Sequence, residues 1–117
     1  MVTFVLPYGV LELRYYLAVD GKSPFEEWFS GLDAAAGAKV SVALARVEQG
    51  NLSNAKGVGE GVLEYRIDWG PGYRVYFGRD VLVILLTVGT KKRQQRDIEQ
   101  AKALWVDYKR RRKPPAR

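Results

Sequence analysis

Arg66 and Arg74 flank a Gly70-Pro71-Gly72 turn, and each sits in a run whose apolar residues alternate with polar ones. In Val62 to Asp68, alternation puts Leu63, Tyr65 and Ile67 on one face of a strand and Val62, Glu64 and Arg66 on the other. Beyond the turn, Tyr73, Val75 and Phe77 point one way, and Arg74 and Tyr76 point the other. If both apolar sets face a core, the two guanidiniums share the open face of a hairpin with Glu64. A planar guanidinium makes paired hydrogen bonds to phosphate oxygens, so two of them with a lysine nearby form a phosphate site. Lys91 supplies that lysine from a corner where Lys91, Lys92, Arg93 and Arg96 cluster. The competing expectation is that each arginine only pairs with Glu64 or Asp68. With no histidine and no cysteine in the chain, imidazole acid–base chemistry, thiolate chemistry and a disulfide framework are all excluded.

The elements that must position these groups follow from the patterns around them. Val81 to Val88 is apolar on both faces and reads as a central, doubly covered strand, entered by a turn at Gly78-Arg79-Asp80. After Gly89, Thr90 is an expected N-cap, and Ile98, Ala101, Trp105 and Tyr108 make the stripe of an amphipathic helix. A cationic cluster at that helix start opposes its dipole and needs compensation or a functional reason. Upstream, Val10 to Ala18 is an expected first strand. Ser23-Pro24-Phe25-Glu26 opens a short helix ending near Gly31, with a capping box in Ser23 and Glu26. Asp33 caps a second helix running to about Gln49, with Val40, Ala43, Leu44 and Val47 as its buried stripe and Gly50 as its stop. These two form an αα-hairpin over the Leu63, Tyr65 and Phe77 face, and Asn51 to Gly61 reads as a loop. The fold class is α+β: an N-terminal strand and αα-hairpin on a three- to four-stranded, mainly antiparallel sheet, closed by a C-terminal helix. At 117 residues the chain has room for one domain, 1–108, followed by a basic, disordered tail over 109–117.

A net charge of +6 and a pI near 9.7 favour a polyanionic partner. The opening MVTFVLPYGVLEL has no positive start and is broken by Pro7 and Gly9, and VLVILLTV is too short for a bilayer. Neither a signal peptide nor a membrane span is expected, and the absence of cysteine is compatible with the cytoplasm.

The ordered set GVLEYRIDWGPGYRVYF, an apolar strand, then GTKKRQQRDIEQAK, together with the upstream LRYYLAVDGKSPFEEWFSGL, resembles the HigB-like addiction-module killer proteins of the RelE/ParE toxin superfamily. The resemblance covers residues 12 to 108. It implies a toxin of a type II toxin–antitoxin system that cleaves messenger RNA on the ribosome by attack of a ribose 2′-OH on the adjacent phosphate, without metal or cofactor. The implied partners are a cognate helix-turn-helix antitoxin, the ribosome and messenger RNA.

Carried over by position, the catalytic set is Arg74 on the phosphorane, Arg66 on the scissile phosphate and Lys91 as proton carrier. Lys56, Glu64, Tyr76, Lys92, Arg93 and Gln94 complete the set expected to touch RNA, with Tyr76 stacking on a splayed base. Many relatives of this type place a tyrosine or histidine in the final segment as acid or base. Here that region reads Gln94, Gln95, Arg96, Asp97, so Glu64 or Lys91 substitutes or positioning alone suffices. Two other functions stay open: a non-enzymatic, ParE-type inhibitor of DNA gyrase, and a phage-derived RNA-binding domain without toxicity.

Overall fold

The computed structural model describes residues 11–80 and 82–112. The expectations for the opening residues up to Val10, for Val81 and for residues 113–117 of the tail lie outside them. The elements run β1 (Leu13–Tyr15), α1 (Pro24–Ser30), α2 (Ala34–Glu48), β2 (Ala55–Gly59), β3 (Val62–Ile67), β4 (Tyr73–Arg79), β5 (Val83–Thr90), a 3-10 turn (Lys91–Arg93) and α3 (Gln94–Arg112). The strands form one five-stranded sheet in the order β1-β5-β4-β3-β2, one or two strands more than the three to four expected, because the edge strand β2 reads as loop in the sequence. It is mixed, because β1 pairs parallel to β5 while the other neighbours are antiparallel.

Capping fixes the helical hairpin. The Ser23 side chain accepts the Glu26 N–H at 2.9 Å, and Asp33 Oδ1 accepts the Ala36 N–H at 2.8 Å. At the end of α2, Gly50 has φ of 81°, its N–H donates to the Val47 carbonyl, and the Asn51 N–H donates to the Arg46 carbonyl. Those two bonds make a Schellman motif, which needs a residue with positive φ. Asp33→Ala is expected to cost about 1 kcal/mol of stability. A urea midpoint unmoved by the change would show that the cap is idle.

The fold is a three-layer α+β arrangement. On one face of the sheet, Phe25, Val40, Ala43 and Val47 of the helical hairpin pack on Tyr65, Val75, Phe77, Val83, Leu85 and Val88. On the other, Ile98, Ala101 and Trp105 of α3 pack on Tyr16, Val62, Tyr76, Ile84 and Leu86. The second layer corrects the expected open face, because α3 lies on the side left bare by the hairpin. Two glycines admit it. A Cβ on Gly78 would stand 2.2 Å from the Trp105 ring, and one on Gly89 would stand 1.9 Å from Asp97 Oδ2.

β5 serves both layers by changing phase. Tyr76 pairs with Thr87 but Phe77 pairs with Leu85, so Leu86 is one residue too many and forms a bulge. Val83 and Leu85 face the helical hairpin; after the bulge Val88 does so again. Gly89, paired with Arg74, thereby turns toward α3.

Four expectations need correction. Asn51 to Gly61 is not all loop: Ala55–Gly59 is an edge strand, paired with β3 through a bulge at Gly57/Gly59. Its glycines disguise it, and the connection Glu60-Gly61 has positive φ at both residues, 59° and 84°, as in the primed turns that suit strand twist. Gly78 and Arg79 belong to β4, not to a turn. Thr90 makes no side-chain cap; its backbone N–H donates to Asp97 Oδ2 at 3.3 Å, and the carboxylate of Asp97 in the first turn of α3 offsets the cationic cluster. Residues 109–112 are helical rather than tail: Arg110 and Arg111 pair with Asp107, and Arg112 reaches Asp80 at 3.1 Å.

Candidate functional site

Antiparallel pairing of β3 with β4 sets Arg66 directly opposite Arg74 and Glu64 opposite Tyr76. Pairing of β2 with β3 sets Lys56 opposite Glu64 on the other side. The turn between β3 and β4 then touches the start of the helical segment, where the Lys91 N–H meets the Pro71 carbonyl at 3.4 Å. The result is a cleft of about 510 Å³ in which Lys56, Arg66, Arg74 and Lys91 converge, with Asn54 and Asp68 at its rim. Gly72, at φ of 74°, forms part of its wall. A Cβ there would come within 3.1 Å of Lys91 Cβ and 3.3 Å of Arg74 Nη1, so the positive φ and the two neighbouring side chains together favour glycine.

Beneath the cations lies Glu64, whose side chain is completely buried. Its carboxylate accepts from the Tyr76 hydroxyl at 2.9 Å, from Gln94 Nε2 at 2.9 and 3.2 Å, and from Arg66 Nε at 3.2 Å. Arg74 Nε stands 3.7 Å from it, within ion-pair range but too far for a hydrogen bond. Burial alone would push the Glu64 carboxyl up, yet the hydrogen bonds from Gln94, Tyr76 and Arg66 and the charge of Arg74 outweigh it and hold the group below the ordinary glutamate range. The Tyr76 hydroxyl moves the opposite way. Burial, then its bond to the Glu64 carboxylate, raises it far above the usual phenol value, so it stays a donor.

These positions revise several assignments. Glu64 has no exposed surface, so it does not contact RNA directly, and a carboxylate saturated with donors and held ionised is a poor general base. Tyr76 is fully buried and offers no ring face to a base. Gln94 is half buried and spends its amide on Glu64, which makes it a brace between α3 and β3. Arg74 is only 6% exposed, donates Nη1 to the Gly72 carbonyl at 2.9 Å, and leaves its buried Nε without an acceptor. It is therefore not the exposed strand arginine that alternation implies; its guanidinium lies down against the Gly72 carbonyl and the buried Glu64 carboxylate. Arg66, with 47% of its side chain exposed, and Lys56 and Lys91, both exposed, are the cations that a phosphate can reach.

Lys92 and Arg93 do not join the cleft. Both are exposed on the 3-10 turn, and Arg93 instead borders a separate depression with Trp28 and Asp97. Asn54 is a site residue that sequence reasoning missed: its carbonyl accepts the Arg66 N–H at 3.1 Å and holds the end of β2 against the cleft. The signal was the Ser53-Asn54 turn before Lys56, legible only once β2 is seen as a strand.

No protein-family model matches the chain. A protein of Haemophilus influenzae, described as an uncharacterized protein, is 46% identical over 83 residues, covering 68% of this chain and 84% of its own. The two chains belong to one family. That relationship carries no activity with it. Among the described residues, no helix is long and apolar enough to cross a membrane.

Proposed function

We propose that the chain has the RelE/ParE-like fold and is the toxin of a type II toxin–antitoxin system, acting in the cytoplasm as a ribosome-dependent messenger RNA endonuclease. The observation that carries this reading is the convergence of Lys56, Arg66, Arg74 and Lys91 on one cleft beside a single exposed carboxylate, Asp68. A polyanion is the ligand such a surface favours, and open access at Arg66 and Lys91 suits a backbone phosphate.

In the reaction, the ribose 2′-hydroxyl loses its proton to solvent water as its oxygen bonds to phosphorus, and the bond to the 5′-oxygen breaks, giving a cyclic phosphate and, once that oxygen is protonated, a 5′-hydroxyl. Negative charge on the phosphorane oxygens grows as this occurs. Arg66 and Lys91 are placed to meet that charge, with Lys91 also able to deliver a proton to the departing oxygen. Arg74 and Glu64 act from behind, Glu64 orienting Arg66 by its Nε and Arg74 adding field without presenting much surface. A helix-turn-helix antitoxin would silence the site by covering this basic cleft.

Lys91→Ala is expected to lower cleavage by about 10²–10³, with stability within about 0.5 kcal/mol of wild type because the side chain is exposed. Primer extension on messenger RNA from cells expressing each form measures the cut, and far-UV spectra check the fold. Growth arrest with intact transcripts and stalled gyrase supercoiling would replace this reading with the ParE-type one. The near burial of Arg74, which withdraws one expected catalytic group, is the observation that favours that alternative.

A further inference from the structure

A second, smaller cleft of about 270 Å³ adjoins the first and shares Asn54, Arg66, Ile67 and Asp68 with it. Its far wall is α2, which contributes Lys39 and Arg46, and its end is Trp69. Lys39 and Arg46 are both exposed and lie two turns apart on one helix face, roughly 10 Å along the axis. Trp69 is held from three directions. Its N–H donates to the Ile67 carbonyl at 2.9 Å, its carbonyl accepts the Gly72 N–H at 3.1 Å, and its ring stacks on Tyr73 at 6.2 Å. Tyr73 in turn meets Trp28 edge-on at 5.3 Å, so the indole caps a fixed aromatic ladder. Lys39 Nζ stands 5.7 Å from its centroid.

We infer that this second cleft is a subsite for the single-stranded RNA flanking the cleaved linkage, with Trp69 stacking on a base and Lys39 and Arg46 pairing with backbone phosphates. A rigid aromatic beside exposed cations, open to solvent and continuous with a phosphate-binding cleft, is the arrangement that holds single-stranded nucleic acid without reading its sequence. Lys39 occupies the indole in the free protein and is long enough to leave it for a phosphate, since an exposed cation–π contact is weaker than base stacking. Asp68, exposed where the two clefts meet, repels phosphate at that point and so directs the backbone to either side. The inference rests on the RNA-cleaving reading above.

The test is fluorescence anisotropy with fluorescein-labelled 2′-O-methyl oligouridylates, a trimer that fills only the first cleft and a nonamer that spans both. In wild type the nonamer should bind more tightly. The double variant Lys39→Gln/Arg46→Gln should weaken the nonamer by about tenfold and reduce its log-affinity versus log-salt slope by about 1.4, two phosphate contacts on a single strand. Trimer binding should not change. Trp69→Leu should cost the nonamer about tenfold, while Trp69→Phe, which keeps a stacking face, should recover most of it; Asp68→Asn should strengthen it.

If nonamer affinity is unchanged in the double variant while Lys91→Gln weakens both oligomers, the subsite falls and the first cleft stands alone. Equal losses for trimer and nonamer would mean a diffuse field in place of a subsite, and would also overturn the inference. Failure of wild type to bind either oligomer would overturn it too. Cleavage of transcripts by wild type, scored separately in cells, decides the underlying reading independently of these outcomes.

Discussion

Glu64→Ala is expected to lower stability by about 3–5 kcal/mol, the usual cost of removing one partner from a buried ion pair. The change leaves the Arg74 guanidinium, with 7% of its side chain exposed, without its counter-charge, and leaves the buried Tyr76 hydroxyl and the Gln94 amide without their acceptor. Urea unfolding measures it; a loss under about 1 kcal/mol would mean that water or movement of Arg74 relieves the charge. Glu64→Gln, which keeps the shape but removes the charge, should fall between. The same carboxylate gives stability an acid limb. Its folded-state pKa is depressed, so its contribution is complete above the ordinary glutamate value of 4.5 and disappears as pH falls through the lower folded-state value. Glu64→Gln should flatten that limb of the stability profile.

The second large effect lies where α3 meets the sheet. Trp105 is 4% exposed and spreads over the backbone at Gly78 and Gly61 with its ring stacked on Tyr108 at 5.2 Å. Trp105→Ala is expected to cost about 3–5 kcal/mol. Gly78→Ala attacks the same contact from below, and since its methyl would fall 2.2 Å from the ring it should cost about 1–3 kcal/mol by displacing the helix. The double variant separates this account from two unrelated injuries, because the new methyl occupies space vacated by the indole. Its loss should be well short of the sum of the singles. Strict additivity in thermal melts would rule out the shared contact.

These contacts also explain what was legible in the sequence. Strands and helices with unbroken periodicity, β3, β4, α1 and α2, are local facts: alternation, a Ser or Asp cap and a terminal glycine suffice to place them. The identity of the face that Glu64, Arg66, Arg74 and Tyr76 occupy was legible for the same reason. Whether that face is open was not, since it depends on where α3 docks, and the docking depends on two glycines that alone resemble turn residues. Arg74 and Tyr76 therefore read as exposed and prove buried. The edge strand β2 was hidden because its pairing energy comes from β3 and owes little to its own Gly-rich composition. Arg66 was found from alternation and Lys91 from its cationic cluster, while Lys56, on a segment read as loop, came only with the resemblance, and the cleft does bring those three together; Lys92 and Arg93, equal to them in composition, lie outside it because a 3-10 turn separates successive side chains widely around its axis.

The parallel pairing of β1 with β5 has a consequence in time. Leu13 finds its partner at Val83, so during synthesis the first strand must wait while the intervening chain is made. At about 5–20 residues per second that delay is roughly 4–14 s. Throughout it the sheet lacks β5, the strand that joins β1 to β4, the helical hairpin has nothing complete to rest on, and the corner bearing Lys91 does not yet exist. A nascent chain of this protein thus completes its basic cleft only after β5 and the Lys91 corner have followed the hairpin that carries Arg66 and Arg74.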